Sequence, residues 1–401
     1  MNPTSAMNVA TTFGPEWFDN APDRHGTSCV KWDEMPAADI IPMWVADQDF
    51  RTAPCITEAL RRRVEHGVFG YTMVPPSYYD AIVRWFDHRH GFQIQPEWIQ
   101  YTIGVVPALS VIIKALTRPG DGVLIMTPVY NCFFSSIRNN GCHQVDVPLL
   151  WDESAHTYSI DFEAFEAKAA TPEVTLFLLC NPHNPAGRVW TRQELQRLAD
   201  ICQRHNVVVV ADEIHCEFVM PGHCFVPFAT IAPDMAARSI ICSSPSKAFN
   251  TAGLQIANII TANADWRQKI DRAINDNEVC DVNPFGPIAL EAAYSPEGEA
   301  WLNGLNAYIA DNYKALTDFF AAHLPHIPVA RLEGTYLVWI DVRCMQVETQ
   351  KLADELMQKH RVWVNPGEMY GAKGFLRINI ACPRARMLEG LARLAGGLQG
   401  K

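Results

Sequence analysis

Three uninterrupted apolar runs, each followed by a polar loop, most constrain how this 401-residue chain can fold. The runs are VTLFLLC (174–180), VVVVA (207–211) and SIIC (239–242). Strands that are apolar on both faces are typical of a parallel sheet with helices on each side. Between the first two runs, residues 191–206 have a capping box followed by one apolar helical face. The pattern predicts an α/β fold with a mostly parallel sheet between helices.

The polar loops after these runs predict the position of a ligand site. They span residues 181–187, 212–215 and 243–247. In an open α/β sheet, ligands bind in the crevice beyond the carboxyl ends of the strands. We therefore expect the three loops to line one cleft.

The pattern of elements changes after about residue 290, which predicts a second domain. A long helical stretch at about 298–323 is followed by a strand in EGTYLVWIDV, a helix in KLADELMQKH and a strand in GFLRINIAC. This order is typical of a small α+β domain. We predict a large domain at 48–288 and a small domain built from both termini, 1–47 and 289–401.

Charge and cysteine content narrow the classes of function. The chain has 33 Lys and Arg residues against 44 Asp and Glu residues, a net charge of −11 with histidine neutral. This acidic balance argues against nucleic-acid binding, which needs a basic surface.

No Cys-x-x-Cys pair occurs among the 12 cysteines, so no metal site is predicted. Without a signal sequence or an apolar stretch of about 20 residues, we expect a cytoplasmic enzyme with no membrane segment.

Three loop residues are the first candidates for chemistry, and each has an ordinary alternative. Asp212 follows the valine run and is either a helix cap or a functional acid of the cleft. Lys247, in SSPSK, is either a surface charge or a lysine that binds phosphate or forms a Schiff base. Asn184, in NPHNPAG, is either a turn residue or a ligand contact. Each signal is weak alone, and their order and spacing carry the information.

Asp212 lies 28 residues after Asn184, Lys247 lies 35 residues after Asp212, and FLRINIA follows near the C-terminus. This order resembles the fold-type I pyridoxal-phosphate enzymes, the aspartate aminotransferase superfamily. The resemblance implies that superfamily's fold and the cofactor pyridoxal 5′-phosphate. More narrowly, six segments resemble the MalY/PatB-type cystathionine β-lyases: PMWVADQDF (42–50), HGVFGYT (66–72), GVVPALS (104–110), SKAFNTAGLQ (246–255), EGTYLVWID (333–341) and NPGEMYG (365–371).

The resemblance implies three catalytic residues, Lys247, Asp212 and Tyr130. Lys247 binds the cofactor aldehyde and then acts as the general base at the substrate Cα. Asp212 keeps the pyridine nitrogen of the cofactor protonated, and Asn184 donates to the ring oxygen. Tyr130 stacks on the ring; without the resemblance, it is equally well interpreted as a buried tyrosine at a strand end.

The resemblance also implies how the cofactor phosphate is bound. The backbone N–H groups of Val105 and Val106 at a helix N-terminus, and the hydroxyl of Ser244, are the implied donors. Tyr71 reaches the phosphate of a neighbouring subunit, which implies a homodimer with shared active sites. The alternative for Tyr71 is a packed aromatic side chain in a turn.

Arg377 and Asn184 are the implied contacts of the substrate, whose carboxylate fits the guanidinium fork. The alternative for Arg377 is a strand arginine that faces solvent. His215 stands where many aminotransferases have a tyrosine that donates to the cofactor oxygen; the alternative is a buried core histidine. Two positions depart from the pattern: Gln48 stands where many MalY/PatB-type members have Met, and Gln255 where aminotransferases usually have Arg.

Two reactions and one further role agree with these residues. Once Lys247 has removed the Cα proton, either a β-thiolate is expelled, giving a thiol, pyruvate and ammonia, or the carbanion is reprotonated on the cofactor, giving transamination. The segments WVADQDF and EGTYLVWID favour the lyase, acting on L-cystathionine or a related cysteine S-conjugate. The alternatives are an aminotransferase acting on an amino acid and a keto acid, and an enzyme of this fold with an added regulatory role.

Overall fold

The structure, a computed structural model, describes residues 13–276, 278 and 280–399. The helices are α1 (Pro15–Asp19), α2 (Val30–Asp33), α3 (Pro54–His66), α4 (Pro76–His90), α5 (Val105–Leu116), α6 (Cys132–Asn139), α7 (Phe162–Ala169), α8 (Arg192–Arg204), α9 (Ala264–Asn275), α10 (Gly286–Ala293), α11 (Pro296–His323), α12 (Thr349–His360) and α13 (Arg384–Leu398). The strands are β1 (Ile41–Pro42), β2 (Ile99–Thr102), β3 (Gly122–Thr127), β4 (His143–Pro148), β5 (Leu150–Asp152), β6 (Thr157–Ser159), β7 (Val174–Cys180), β8 (Val208–Asp212), β9 (Ser239–Ser243), β10 (Ala257–Ile260), β11 (Leu337–Asp341), β12 (Val362–Trp363), β13 (Asn365–Pro366) and β14 (Phe375–Asn379).

A seven-stranded sheet forms the centre of the fold, in the order β2–β10–β9–β8–β7–β3–β4. β10 runs in the direction opposite to the other six strands of this sheet, so the predicted mostly parallel sheet is confirmed. In β7, Leu176 and Leu178 pack into a core with α5, α6 and α9, whereas Phe177 and Leu179 pack into a core with α7 and α8. Burial on both faces explains why the sequence run is apolar without alternation.

The carboxyl ends of β7, β8 and β9 lie side by side. Cys180 is paired with Asp212, and Asp212 with Cys242. The loops that follow these strands therefore begin at one edge of the sheet, as the sequence predicts. Between β7 and β8, helix α8 begins at the predicted capping box: Thr191 Oγ1 accepts the Glu194 N–H at 3.2 Å, and the Glu194 carboxylate accepts the Thr191 N–H at 2.8 Å.

The C-terminal part of the chain forms a second, three-stranded sheet in the order β11–β14–β13. The N-terminal part joins it, because β1 pairs in parallel with β12, with Ile41 opposite Val362. The predicted strands and helices of this region are all present, and α11 begins where Ser295 Oγ accepts the Gly298 N–H at 3.1 Å. The predicted boundary between the large and small domains, at residue 288, stays a prediction. It falls within α10, which packs on α3 and α4 of the predicted large domain.

Two further predictions concern the N-terminal residues and membrane-spanning segments. Residues 1–12 of the predicted small domain lie outside the described residues. None of the helices in the described ranges has the length and apolar character needed to cross a membrane.

Candidate active site

A cavity of about 190 Å³ lies at the carboxyl ends of β7, β8 and β9. The three loops that the sequence places at these ends all contribute to its wall. Seven of the ten residues predicted for the site line it: Val105, Val106, Tyr130, Asn184, Asp212, His215 and Lys247. Elements far apart in the chain thus converge on one cavity, as is typical of small-molecule sites.

Lys247 reaches the cavity from the loop after β9. Its Nζ donates a hydrogen bond to the carbonyl oxygen of Ala46 at 2.6 Å. Burial lowers the pKa of Lys247, while the carboxylates of Asp47 and Asp212 act in the opposite direction. A buried lysine with a lowered pKa is more readily neutral, and a neutral amine is both a nucleophile towards aldehydes and a base. The alternative of a surface charge is therefore wrong.

Asp212 is the last residue of β8 and is buried in the wall of the cavity. Its Oδ1 accepts the N–H of Ile214 at 3.2 Å. Burial raises the pKa of Asp212 to about 6, against the opposing effects of that N–H group and of Lys247. A buried carboxylate with so few partners is stabilised by a cationic ligand, because the ligand supplies the missing counter-charge.

The N-terminus of α5 offers an anion site at the cavity. Gly104 precedes the helix and no side chain caps it. The first N–H groups of a helix have no acceptor within it, which leaves those of Val105 and Val106 available at the cavity. The third helical residue, Pro107, has no N–H to offer. The arrangement suits a phosphate group.

Arg377 lies beside the cavity on β14 and is only 3% exposed, so the alternative of a solvent-facing arginine is wrong. One guanidinium nitrogen donates to Asn184 Oδ1 at 3.1 Å, and the other to the carbonyl oxygen of Trp44 at 2.8 Å. The guanidinium lies 4.6 Å from the ring centroid of Tyr370. Its Nε is buried without a hydrogen-bond partner among the described residues. A cation held in this way is prepared for an anionic ligand.

His215 and Tyr130 line the cavity as neutral side chains. Burial lowers the pKa of His215 to about 3, and the charges of Lys247 and Arg377 add to this effect. Its Nδ1 is buried and has no partner in the part of the chain that the structure describes. Burial also raises the pKa of Tyr130, so its hydroxyl keeps the proton. Both side chains can donate a hydrogen bond into the cavity without changing its charge.

Besides Arg377, which lies beside the cavity, two predicted residues do not line it. The Ser244 hydroxyl donates to the carbonyl oxygen of Ile256 at 2.7 Å and accepts the Ser246 N–H at 3.1 Å, so it lies behind the wall that Ser246 lines. Tyr71 lies in the loop between α3 and α4 and is fully exposed. The proposed contacts of Ser244 and Tyr71 with a phosphate group stay predictions.

Comparison with known proteins places this geometry in a family. Residues 39–394 match the family of class I and II aminotransferases. The chain belongs to this family. Cystathionine β-lyase PatB of Bacillus subtilis (strain 168) is 41% identical over 387 residues, 95% of this chain and 99% of PatB. Protein MalY of Escherichia coli (strain K12) is 33% identical over 389 residues, 95% of this chain and 98% of MalY.

A solved structure of a related enzyme has the same fold as this chain. The pyridoxal-phosphate-bound C–S lyase of Staphylococcus hominis superposes with a TM-score of 0.89 and 33% identity, covering 97% of this chain and 99% of the lyase. The predicted fold of the fold-type I transferases and the resemblance to the MalY/PatB-type lyases are confirmed.

Sequence patterns missed several cavity residues of this aminotransferase-family chain. Ala46 contributes a backbone carbonyl, which no side-chain pattern reveals, although it lies within the segment PMWVADQDF. The sequence marks Gln255 only as a departure from the family pattern, yet Gln255 lines the cavity with a φ of +52°.

A cluster of His90, Cys216 and Glu217 has the composition of a metal site, but its hydrogen bonds point to another role. Their ligand atoms lie within 4.8 Å of one another. Both oxygens of Glu217 are already engaged, one by the Trp85 N–H at 2.7 Å and the other by Arg89 Nε at 2.8 Å. The cluster is therefore a buried ion-pair network, in which these partners stabilise the Glu217 carboxylate.

Proposed function

We propose that this protein is a pyridoxal-phosphate-dependent C–S β-lyase that cleaves L-cystathionine or a related cysteine S-conjugate into a thiol, pyruvate and ammonia. The observation that carries the proposal is the cavity that joins the buried Lys247 amine to the Asp212 carboxylate. It occurs in a chain that is 41% identical to a cystathionine β-lyase along nearly its whole length.

The residues of the cavity fit the cofactor group by group. The Lys247 amine suits the cofactor aldehyde, and the Asp212 carboxylate, with one N–H partner at Oδ1, suits the pyridine nitrogen. The N–H groups of Val105 and Val106 suit the phosphate. The unpartnered Nδ1 of His215 is an additional buried polar atom that a ligand in the cavity could satisfy. The set combines an amine, an acid and an anion site, as this cofactor requires.

The chain's own residues then move protons and hold the substrate. When bound, pyridoxal phosphate supplies the electron sink that makes the substrate Cα–H acidic. The Lys247 amine leaves the Ala46 carbonyl and takes the Cα proton, because a lowered pKa makes the neutral amine easier to form. Arg377 holds the substrate carboxylate with its fork, and Asn184 stays beside it. Burial of these groups excludes water and strengthens each electrostatic contact.

Transamination is the second candidate, because the family match is to aminotransferases. The two reactions differ in their need for an acceptor: elimination from L-cystathionine releases a thiol, pyruvate and ammonia without any acceptor, whereas transamination needs a keto acid to complete each cycle. We expect the purified protein to release pyruvate from L-cystathionine without any added keto acid, as measured by a coupled lactate dehydrogenase assay. Product that forms only after a keto acid is added would assign the protein to the aminotransferases.

We further propose a homodimer in which Tyr71 contacts the partner's cofactor phosphate. The loop that carries Tyr71 exposes a cluster of large apolar side chains, of which Tyr71 is 100% and Met73 84% exposed. Such a patch favours a protein interface. The exposed apolar side chains of this segment are Val64, near the end of α3, and Val68, Phe69, Tyr71 and Met73 in the loop. We expect cytoplasmic localisation, as for enzymes of amino-acid metabolism.

Sedimentation equilibrium is expected to give twice the chain mass of 44.9 kDa. Tyr71→Phe, which removes only the hydroxyl, is expected to keep the dimer but weaken cofactor binding by about tenfold, the effect of one lost hydrogen bond to a charged group. A single-chain mass would contradict the shared site, and unchanged cofactor affinity would contradict the phosphate contact.

A further inference from the structure

Gln48, one of the two departures from the family pattern, contacts the loop that carries Lys247. Its side chain is completely buried. The amide Nε2 donates to the backbone carbonyl oxygen of Lys247 at 2.6 Å and to that of Ala248 at 3.3 Å. A methionine at this position has no N–H group and makes neither hydrogen bond. The contact is therefore specific to chains that have a hydrogen-bond donor here.

Asn250 completes the connection from the opposite side. Its Oδ1 accepts the Gln48 N–H at 3.1 Å, and its Nδ2 donates to the carbonyl oxygens of Gln48 at 2.8 Å and of Phe50 at 3.0 Å. Asn250 has a φ of +55°, a left-handed conformation that asparagine tolerates better than most residues. We call these five hydrogen bonds, between residues 48–50 and residues 247–250, the Gln48–Asn250 clasp.

The clasp is attached to a fixed part of the molecule. Arg24 donates to the carbonyl oxygen of Gln48 at 2.8 Å. The next residue, Asp49, is wholly buried and accepts from Trp32 Nε1 at 3.0 Å; Lys31 Nζ and an Arg386 guanidinium nitrogen each lie 3.0 Å from its carboxylate. Because a buried carboxylate with these partners resists displacement, the segment around Gln48 is a rigid support.

Both ends of Lys247 contact this support. Its amine donates to the carbonyl of Ala46, and its own backbone carbonyl accepts from Gln48. We propose that Gln48 is a positioning residue that fixes the backbone of Lys247, so that the amine enters the cavity in one orientation. The inference rests on the proposed catalytic role of Lys247. Gln48 itself does not line the cavity and therefore acts only through Lys247.

The Gln48→Met variant separates positioning from stability. Gln48 Oε1 is buried without a hydrogen-bond partner among the described residues, which is unfavourable for the folded state. Methionine removes this oxygen together with the two hydrogen bonds of Nε2, so the two effects on the free energy of unfolding oppose each other. We therefore expect a folded variant with a melting temperature close to that of the unmodified protein.

A matched control exists in β2. Gln100 Nε2 also donates to a backbone carbonyl, that of Arg267 at 2.9 Å, and Gln100 Oε1 is also buried without a partner in the described ranges. Gln100 lies outside the cavity wall, and its side-chain hydrogen bond goes to α9 and not to the Lys247 loop. Gln100→Met thus makes the same Gln-to-Met replacement at a position whose side chain does not hold the Lys247 loop.

The test compares hydrogen–deuterium exchange and steady-state kinetics of the full-length protein and both variants. In Gln48→Met, the amides of residues 246–250 are expected to exchange about tenfold faster, because the loop opens more often without the amide of Gln48. The value of kcat is expected to fall about three- to tenfold while KM stays within about twofold, since substrate contacts are intact. Gln100→Met is expected to leave both readouts unchanged.

Two outcomes would overturn the inference: unchanged exchange of residues 246–250 in Gln48→Met, or an equal loss of kcat in Gln100→Met. Failure of the proposed function has a different signature. In that case the unmodified protein releases no pyruvate from L-cystathionine without an added keto acid, whereas the exchange of residues 246–250 in Gln48→Met still reports whether Gln48 holds the Lys247 loop.

Discussion

Replacement of Lys247 by alanine is expected to lower the rate of pyruvate release from L-cystathionine by about 10³-fold or more. Lys247 supplies both the amine for the cofactor aldehyde and the base at Cα, and no other lysine lines the cavity in the described part of the chain. Lys247→Arg is expected to be equally inactive, because a guanidinium stays protonated. The measurement is the initial rate with saturating cofactor and substrate.

Lys351→Ala is the control for a lysine that has no part in the site. Lys351 lies on α12, its side chain is 81% exposed, and it pairs with Glu348 at 2.7 Å on the helix surface. An exposed pair of this kind contributes little to stability, so full activity is expected. If Lys247→Ala retained more than a tenth of the activity while Lys351→Ala retained all of it, the role of Lys247 would be wrong.

Asp212→Asn is expected to reduce kcat by about 10²- to 10⁴-fold. Losses of this size are typical when an enzyme loses a group that stabilises charge during the reaction. Asparagine keeps the shape of the side chain and an oxygen for the Ile214 N–H, but it cannot balance a protonated pyridine nitrogen. The variant is expected to fold, because replacing a buried carboxylate whose pKa is raised to about 6 removes a charge that burial disfavours.

The neighbouring Glu213→Gln variant is the matched control. Glu213 is also buried, but its Oε1 accepts the Phe228 N–H at 2.8 Å and the Asn181 amide at 3.4 Å, away from the cavity. Burial raises the pKa of Glu213 to about 8, so glutamine resembles the protonated form. We expect kcat within about twofold of the unmodified protein. Similar losses in both variants would mean that burial of charge at this strand end, and not the pyridine contact, governs activity.

The central sheet was predictable because strands that are buried on both faces give uninterrupted apolar runs in the sequence. The runs at β7, β8 and β9 are apolar on both faces, and their register places Cys180, Asp212 and Cys242 in one row. Parallel topology then brings the polar loops together without further information. For this reason the sequence predicts that Asn184, Asp212, His215 and Lys247 share one cleft, and all four line the cavity.

Backbone contacts and side-chain directions were not predictable. The Ala46 carbonyl that accepts the Lys247 amine has no residue-type signature, because every residue carries a carbonyl. Ser244 belongs to the serine cluster beside Lys247, yet its hydroxyl is turned to Ile256. Tyr71 is directed to solvent in the single chain, and a contact across subunits cannot be read from one sequence.

The product balance with L-cystathionine tests the central claim most directly. Purified protein with bound pyridoxal phosphate and no keto acid is expected to form pyruvate and ammonia in equal amounts, at a constant rate over many equivalents per active site. Elimination restores the enzyme in each cycle and therefore needs no acceptor. A reaction that stops after about one equivalent per site, and resumes only when a keto acid is added, would contradict the lyase and identify an aminotransferase.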